Sequence, residues 1–104
     1  MVLETHTTER DGETEITVDG TVDLYSAPKL RTSILEAVPG ANDRILVHLG
    51  GVSYMDSSGV AVLVEGLRSA RKNDKAFVLR QPSRSVMKVL ELAKLDAVFE
   101  ITEQ

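Results

Sequence analysis

The sequence predicts a single α/β domain over residues 1–104, with a mixed, mostly parallel sheet of about five strands in the order β-β-α-β-α-β-α-β. Two stretches of alternating polar and apolar residues flank the turn signal Asp11-Gly12, which is typical of a β-hairpin. From residue 26 onward, helical periodicity alternates with short apolar runs, which indicates parallel strands joined by helical crossovers. The length, with 42% apolar and 27% charged residues, fits one soluble globular domain.

The hairpin strands are predicted over residues 2–8 and 14–19. A helix should begin near Ser26, because serine is a good N-cap and Pro28 then lies in the first turn, where a missing N–H costs nothing. Apolar residues at helical spacing continue to Pro39-Gly40, which stop the helix.

The second half of the chain repeats a strand and a helix. Residues 44–49 are apolar on both faces, which predicts a central parallel strand covered on both sides. Helical spacing follows Asp56 and ends in basic residues that suit the negative end of the helix dipole. A strand is expected from residue 75 to 79, a helix capped by Ser83, and a last strand from 97 to 102.

Composition excludes several functional classes. The 12 basic and 16 acidic residues give a net charge of −4, which argues against a nucleic-acid partner. There is no cysteine, and His6 and His48 lie far apart without a ligand motif, so no metal and no cofactor are expected. The apolar run Val60–Val64 is too short to span a membrane. The N-terminus lacks a secretory signal, which favours a cytoplasmic protein.

The segment Val52–Val60 places two hydroxyls and a carboxylate between the central strand and the next helix. Asp56, Ser57 and Ser58 are all good N-cap residues, and Gly59 permits close packing of the backbone. The alternative is that Ser57 is a phosphoacceptor, because a phosphate at a helix N-terminus meets free N–H groups and the positive end of the dipole. The residues alone favour the cap.

The same segment, followed by an apolar helix, resembles the signature of the STAS family of anti-sigma factor antagonists. Asp19-Gly20-Thr21-Val22-Asp23 resembles the turn that follows the second strand in that family, and the order of elements matches over essentially the whole chain. The resemblance implies that the protein is not an enzyme and that a partner kinase, which is also the anti-sigma factor, phosphorylates Ser57. The unphosphorylated form would bind this kinase and free its sigma factor, and a PP2C-type phosphatase would restore it. The residues implied in partner binding are Asp23, Leu24, Tyr25, Asp56, Ser58 and Gly59.

Two departures from the family pattern stand out. His48 occupies a position where family members often have an acidic or amide residue, and the chain ends at Gln104 without the final helix that many members carry. Neither departure involves the serine motif. A monomer is the plainest expectation for an acidic single domain.

Two other functions are compatible with the sequence to different degrees. A STAS domain can also be a non-catalytic subunit of a lipid-transporting ABC complex, where it would contact the ATPase or permease and its serine need not be phosphorylated. A small hydrolase that uses Ser57 is the weakest hypothesis, since no base or oxyanion constellation accompanies the serine.

Overall fold

A computed structural model describes residues 2–104 of the chain. It contains five strands and three helices in the predicted order. Their bounds are β1 (Glu4–Arg10), β2 (Glu13–Val22), α1 (Ala27–Ala37), β3 (Arg44–Met55), α2 (Ser57–Lys72), β4 (Ala76–Arg80), α3 (Arg84–Leu92) and β5 (Glu100–Thr102). The predicted α/β class and order of elements are therefore confirmed.

The five strands form one sheet in the order β1-β2-β3-β4-β5. β1 pairs with β2 in antiparallel orientation, and every other neighbouring pair is parallel. Asp11 and Gly12 both have positive φ, 49° and 83°, as a two-residue hairpin turn requires. The parallel arrangement brings the carboxyl ends of β2 and β3 together, since Val22 is the register partner of Met55.

The core lies between the helices and one face of the sheet. Ile45, Val47 and Leu49 of β3 are buried in the same apolar cluster as Leu30 and Ile34 of α1. The other members of that cluster include Leu63 of α2 and Leu90 of α3. Burying side chains of this size stabilises the fold by roughly 1.5–3 kcal/mol each.

The second face of β3 is covered differently from the prediction. Leu46 is 6% exposed but lies outside the main core cluster. It shares a shallow depression with side chains of the strands themselves, and the charged pairs Arg44–Glu13 and Arg80–Glu15 lie on the same strands. Val78, the register partner of Leu46 on β4, is fully buried as well and also lies outside the main cluster. Long charged side chains can cover such apolar surface while their heads stay in water.

Several element bounds differ from the prediction. β3 continues beyond residue 49 to Met55, because Val52 and Met55 are buried and residues 51–55 pair with β2 through two register irregularities. β5 begins at Glu100 rather than 97, since a turn precedes it and Phe99 packs against Phe77 with ring centroids 6.5 Å apart. The other bounds shift by a few residues.

The predicted cap of α1 was wrong in its chemistry. Ser26 precedes the helix, yet its side chain makes no cap hydrogen bond. Its hydroxyl donates to the Thr21 carbonyl oxygen at 2.7 Å and accepts from the Asp23 N–H at 2.9 Å, so it serves the preceding loop. Pro28 does lie in the first turn, and Ser83 does cap α3 by accepting from the Val86 N–H at 3.3 Å.

Candidate functional site

The predicted site residues fall into two neighbouring segments at one end of the sheet. Asp23, Leu24 and Tyr25 directly follow β2, and Asp56–Gly59 span the junction of β3 and α2. A hydrogen bond from the Asp56 N–H to the Val22 carbonyl oxygen, 3.1 Å long, links the two segments. The site therefore lies at the carboxyl ends of adjacent parallel strands, where α/β sheets commonly carry ligands and partners.

Asp56 is the residue that caps α2. Its backbone is extended, and its Oδ1 accepts a 2.8 Å hydrogen bond from the Ser58 N–H. Its carbonyl oxygen accepts from the N–H groups of Gly59 and Val60. Ser57 is the first residue of the helix and is exposed. Within the part of the chain that the structure describes, its hydroxyl makes no hydrogen bond to protein, so the cap and the candidate phosphoacceptor are separate residues.

This geometry limits the number of free N–H groups that a phosphate on Ser57 would meet. The Ser58 N–H is already bonded to the Asp56 carboxylate, and the next two donors are bonded to the Asp56 carbonyl oxygen. A phosphate would share the helix terminus with a carboxylate, and it would face solvent rather than a preformed cradle.

Asp23 organises the loop between β2 and α1. Its Oδ1 accepts from the N–H groups of Ser26, at 3.0 Å, and Tyr25, at 2.9 Å. Its carbonyl oxygen accepts from the Ala27 N–H at 2.8 Å. The bond from the Ser26 backbone is the main reason that the pKa of the Asp23 carboxyl is below its ordinary value, and the Tyr25 bond adds to it. The carboxylate is thus an acceptor for its own loop.

The loop that Asp23 fixes presents two large apolar side chains to solvent. Leu24 is 67% exposed and Tyr25 is 89% exposed. Tyr54, the penultimate residue of β3, is 52% exposed at the same end of the sheet. The sequence motifs do not single out Tyr54 as a site residue. Strict alternation does not place it, because Ser53 and Tyr54 are both exposed between the buried residues Val52 and Met55.

The small residues of the motif have different surroundings. Ser58 is half-buried, with its N–H held by Asp56. Gly59 is buried, and a Cβ there would lie 2.6 Å from Met55 Cγ and 2.8 Å from Val22 Cγ1. The packing of α2 against the ends of two strands therefore requires glycine at this position.

No imidazole is placed beside Ser57. His48 Nε2 lies 2.8 Å from Gln81 Oε1, and its Nδ1 accepts a 3.4 Å hydrogen bond from the Gly50 N–H. At about 3.3 Å per strand residue, the length of β3 between His48 and Met55 separates the ring from Ser57 by about 20 Å. His6 is exposed on β1.

Two further findings concern residues 2–104. These residues hold no grouping of three or more histidine or carboxylate side chains that could bind a metal ion. Their helices are all too short or too polar to cross a bilayer.

The site and fold together define a small α/β domain with one exposed serine at a helix start. A protein-family model described as "Mlab, STAS domain" matches residues 5–102. The chain therefore belongs to the STAS domain family, as the motif residues predicted.

Curated relatives and solved structures agree with this family. The anti-sigma-B factor antagonist of Staphylococcus aureus is 30% identical over 103 residues, which is 99% of this chain and 95% of the relative. An anti-sigma factor antagonist from Mycobacterium paratuberculosis superposes with a TM-score of 0.89 at 21% identity, over 99% of this chain and 87% of that one.

The anti-sigma factor antagonist SpoIIAA is similar in two states. Its unphosphorylated form superposes with a TM-score of 0.76 at 25% identity, over 96% of this chain and 87% of that one. The phosphorylated form of the Bacillus protein gives a TM-score of 0.75 at 22% identity, over 97% of this chain and 92% of that one.

Proposed function

We propose that the protein is a non-catalytic anti-sigma factor antagonist controlled by phosphorylation of Ser57. In its unphosphorylated form it binds an anti-sigma factor kinase and frees the sigma factor held by that kinase. The observation that carries the proposal is the exposure of Ser57 at the start of α2, beside a loop that presents Leu24 and Tyr25. The names of the relatives and the two states of SpoIIAA support it.

The surface has the composition of a protein-docking site. Leu24, Tyr25 and Tyr54 offer apolar and aromatic area, and aromatic side chains often dominate binding energy in interfaces. The hydrogen bonds of Asp23 hold the loop in place, so less conformational entropy is lost when a partner orders it. In this proposal the same partner also covers Ser57.

Phosphorylation is the transfer of the γ-phosphoryl group of ATP to Ser57 Oγ, with loss of the hydroxyl proton and release of ADP. It adds about two negative charges beside Asp56. Inside a docked interface this can cost on the order of 2–5 kcal/mol, or roughly 30-fold to several thousandfold in affinity. A serine phosphatase of the PP2C type would restore the binding form by hydrolysis.

A second candidate function is a structural STAS subunit of a lipid-transporting ABC complex. One observation favours this second function. The matching family model is described as Mlab, whereas the curated relatives are named anti-sigma-B factor antagonists. In that case the surface around α2 would contact an ATPase or permease irrespective of the charge state of Ser57.

Paired affinity capture from native lysate tests both functions. The baits are Ser57→Ala and Ser57→Asp, and Ala41→Asp is the matched control, because it adds the same charge to an exposed loop before β3, at the opposite end of the sheet. We expect the Ser57→Ala bait and the control bait to enrich a kinase-type ATPase that the Ser57→Asp bait loses. Recovery of a transporter ATPase or permease by all three baits would contradict the antagonist function and support the second.

A purified kinase from such a capture allows a direct test. It should phosphorylate the wild-type chain at a single serine and leave Ser57→Ala unmodified, as intact mass and peptide mapping would show. Asp23→Ala should reduce phosphorylation of Ser57, or the affinity for the kinase, by disordering the loop between β2 and α1. Phosphorylation of Ser57→Ala to the wild-type extent would exclude Ser57 as the acceptor.

A further inference from the structure

The outer edge of strand β1 is unpaired within residues 2–104, and the proposed site does not use it. β1 is the outermost strand of the sheet, and in the part of the chain that the structure describes it pairs with β2 alone. Its seven residues, Glu-Thr-His-Thr-Thr-Glu-Arg, are exposed apart from the partly buried Thr5. A strand in this position presents a row of free N–H and C=O groups that can pair with another strand.

The hairpin geometry identifies the free backbone groups. Because the turn at Asp11-Gly12 has two residues, Arg10 and Glu13 form a hydrogen-bonded pair, and such pairs recur at every second residue. The N–H and C=O groups of Thr5, Thr7 and Glu9 therefore point away from β2.

The side chains of β1 alternate between the two faces of the sheet. The Thr5 hydroxyl lies 2.9 Å from the Ser33 hydroxyl of α1, so the odd-numbered residues face the helices. Thr8 and Arg10 line the depression around Leu46 on the opposite face, so the even-numbered residues, including Glu4, lie there.

We infer that β1 is a self-association edge, through which two copies of this chain pair in antiparallel orientation about a two-fold axis at Thr7. In this register Thr7 faces Thr7 of the second copy, and Thr5 faces Glu9 in both directions. All three outward-facing residues then exchange backbone hydrogen bonds. A register shifted by one residue would oppose free groups to groups already bonded to β2.

Charge complementarity favours the same register. On the face of the sheet opposite the helices, Glu4 of one copy lies across from Arg10 of the other copy. This pair occurs twice by symmetry, and opposite charges directly across a ladder are stabilising. Within its own chain Glu4 lies opposite Asp19, a like-charged residue, so an arginine from the second copy would also relieve that repulsion. The pairing of threonines at the axis is likewise favourable. The expected monomer would thus be in equilibrium with a dimer.

A charge-swap experiment on the full chain tests this register. Sedimentation velocity at low ionic strength, from about 10 µM to about 1 mM, should show a concentration-dependent dimer for the wild type. Glu4→Arg alone and Arg10→Glu alone should each weaken the dimer by about tenfold or more, since like charges then meet twice. An equimolar mixture of the two variants should form a heterodimer of at least wild-type affinity, because every Arg then meets a Glu.

A backbone variant separates edge pairing from other modes of association. Thr7→Pro removes an N–H that points away from β2, so the hairpin should stay folded by circular dichroism while dimerisation is lost. Any of three results would overturn the inference. The wild type could stay monomeric at every concentration, the dimer could survive Thr7→Pro, or the mixture of charge variants could dimerise with no higher affinity than either variant alone. None of these residues belongs to the Ser57 site, so the result is independent of the proposed function.

Discussion

The assignment of separate roles to Asp56 and Ser57 predicts a measurable difference in stability between two neighbouring alanine variants. Asp56→Ala removes the acceptor of the Ser58 N–H but keeps the carbonyl oxygen that serves Gly59 and Val60. One donor at a partly buried position loses its partner, so we expect a loss of about 1 kcal/mol, within the range of about 0.5–2 known for N-caps. Ser57→Ala should change the free energy of unfolding by less than about 0.5 kcal/mol, because the side chain is exposed.

Urea unfolding followed by circular dichroism measures both values. In thermal unfolding, Asp56→Ala should lower Tm by about 4–8 °C for each kcal/mol lost in a domain of this size. Asp56→Asn is the matched control, since asparagine caps nearly as well as aspartate without the charge. If Ser57→Ala lost as much stability as Asp56→Ala, Ser57 would be the functional cap, and its presence would need no explanation in signalling.

Two further predictions concern the residues around the site. Gly59→Ala should destabilise the domain by about 1–3 kcal/mol, because the new methyl group would overlap Met55 and Val22. An unchanged free energy of unfolding in urea would show that α2 can move away without cost. The lowered pKa of Asp23 predicts that its contribution to stability is complete above the ordinary pKa of about 3.9 and is lost as pH falls through the lower folded pKa. Unfolding between about pH 6 and pH 2 measures the stability difference between the wild type and Asp23→Asn. The advantage of the wild type should shrink as the pH falls. A constant difference would rule out titration of Asp23 as its source.

The turns show where local sequence is informative about the fold. Asp11-Gly12 was a reliable signal, since both residues adopt the positive φ angles that Asp and Gly tolerate. The ends of α2 and α3 use the same conformation at Asp74 and Lys94, with φ values of 57° and 60°. Neither end has a glycine. The basic residues Arg71 and Lys72 nevertheless marked the end of α2 correctly, whereas the start of β5 was predicted too early.

The extent of β3 was unpredictable for a different reason. Gly50-Gly51 interrupts the apolar run, and glycines weaken a strand considered alone. Tertiary pairing with β2 continues the strand through two register irregularities to the buried Met55. Contacts between distant segments therefore decided where this element ended.

The candidate site was predictable in its location but not in its surface. Parallel strands bring their carboxyl ends together, so the proximity of Asp23 and Asp56 followed from the order of elements. The exposure of Leu24 and Tyr25 depends on the loop that Asp23 holds, and that of Tyr54 depends on the irregular pairing near the end of β2. Neither can be derived from periodicity.

The occupied cap explains why a charge on Ser57 would act on recognition rather than on folding. In the free protein a phosphate would gain about 0.3–1 kcal/mol from the helix dipole. The Asp56 carboxylate would repel it by about 1 kcal/mol for each phosphate charge at a separation of about 4 Å in water, or about 2 kcal/mol for a doubly charged phosphate. The two effects oppose each other, and the remaining cost to the free domain is about 1–2 kcal/mol. Under a bound partner the effective dielectric constant falls, and the same repulsion reaches about 4 kcal/mol for each charge at a value of about 20. Under the proposed function, the carboxylate that caps α2 would therefore amplify the effect of a phosphate on Ser57 mainly in the bound state. Asp56→Asn should accordingly reduce the difference in partner affinity between Ser57→Ala and Ser57→Asp, and an undiminished difference in calorimetric titration would show that Asp56 takes no part.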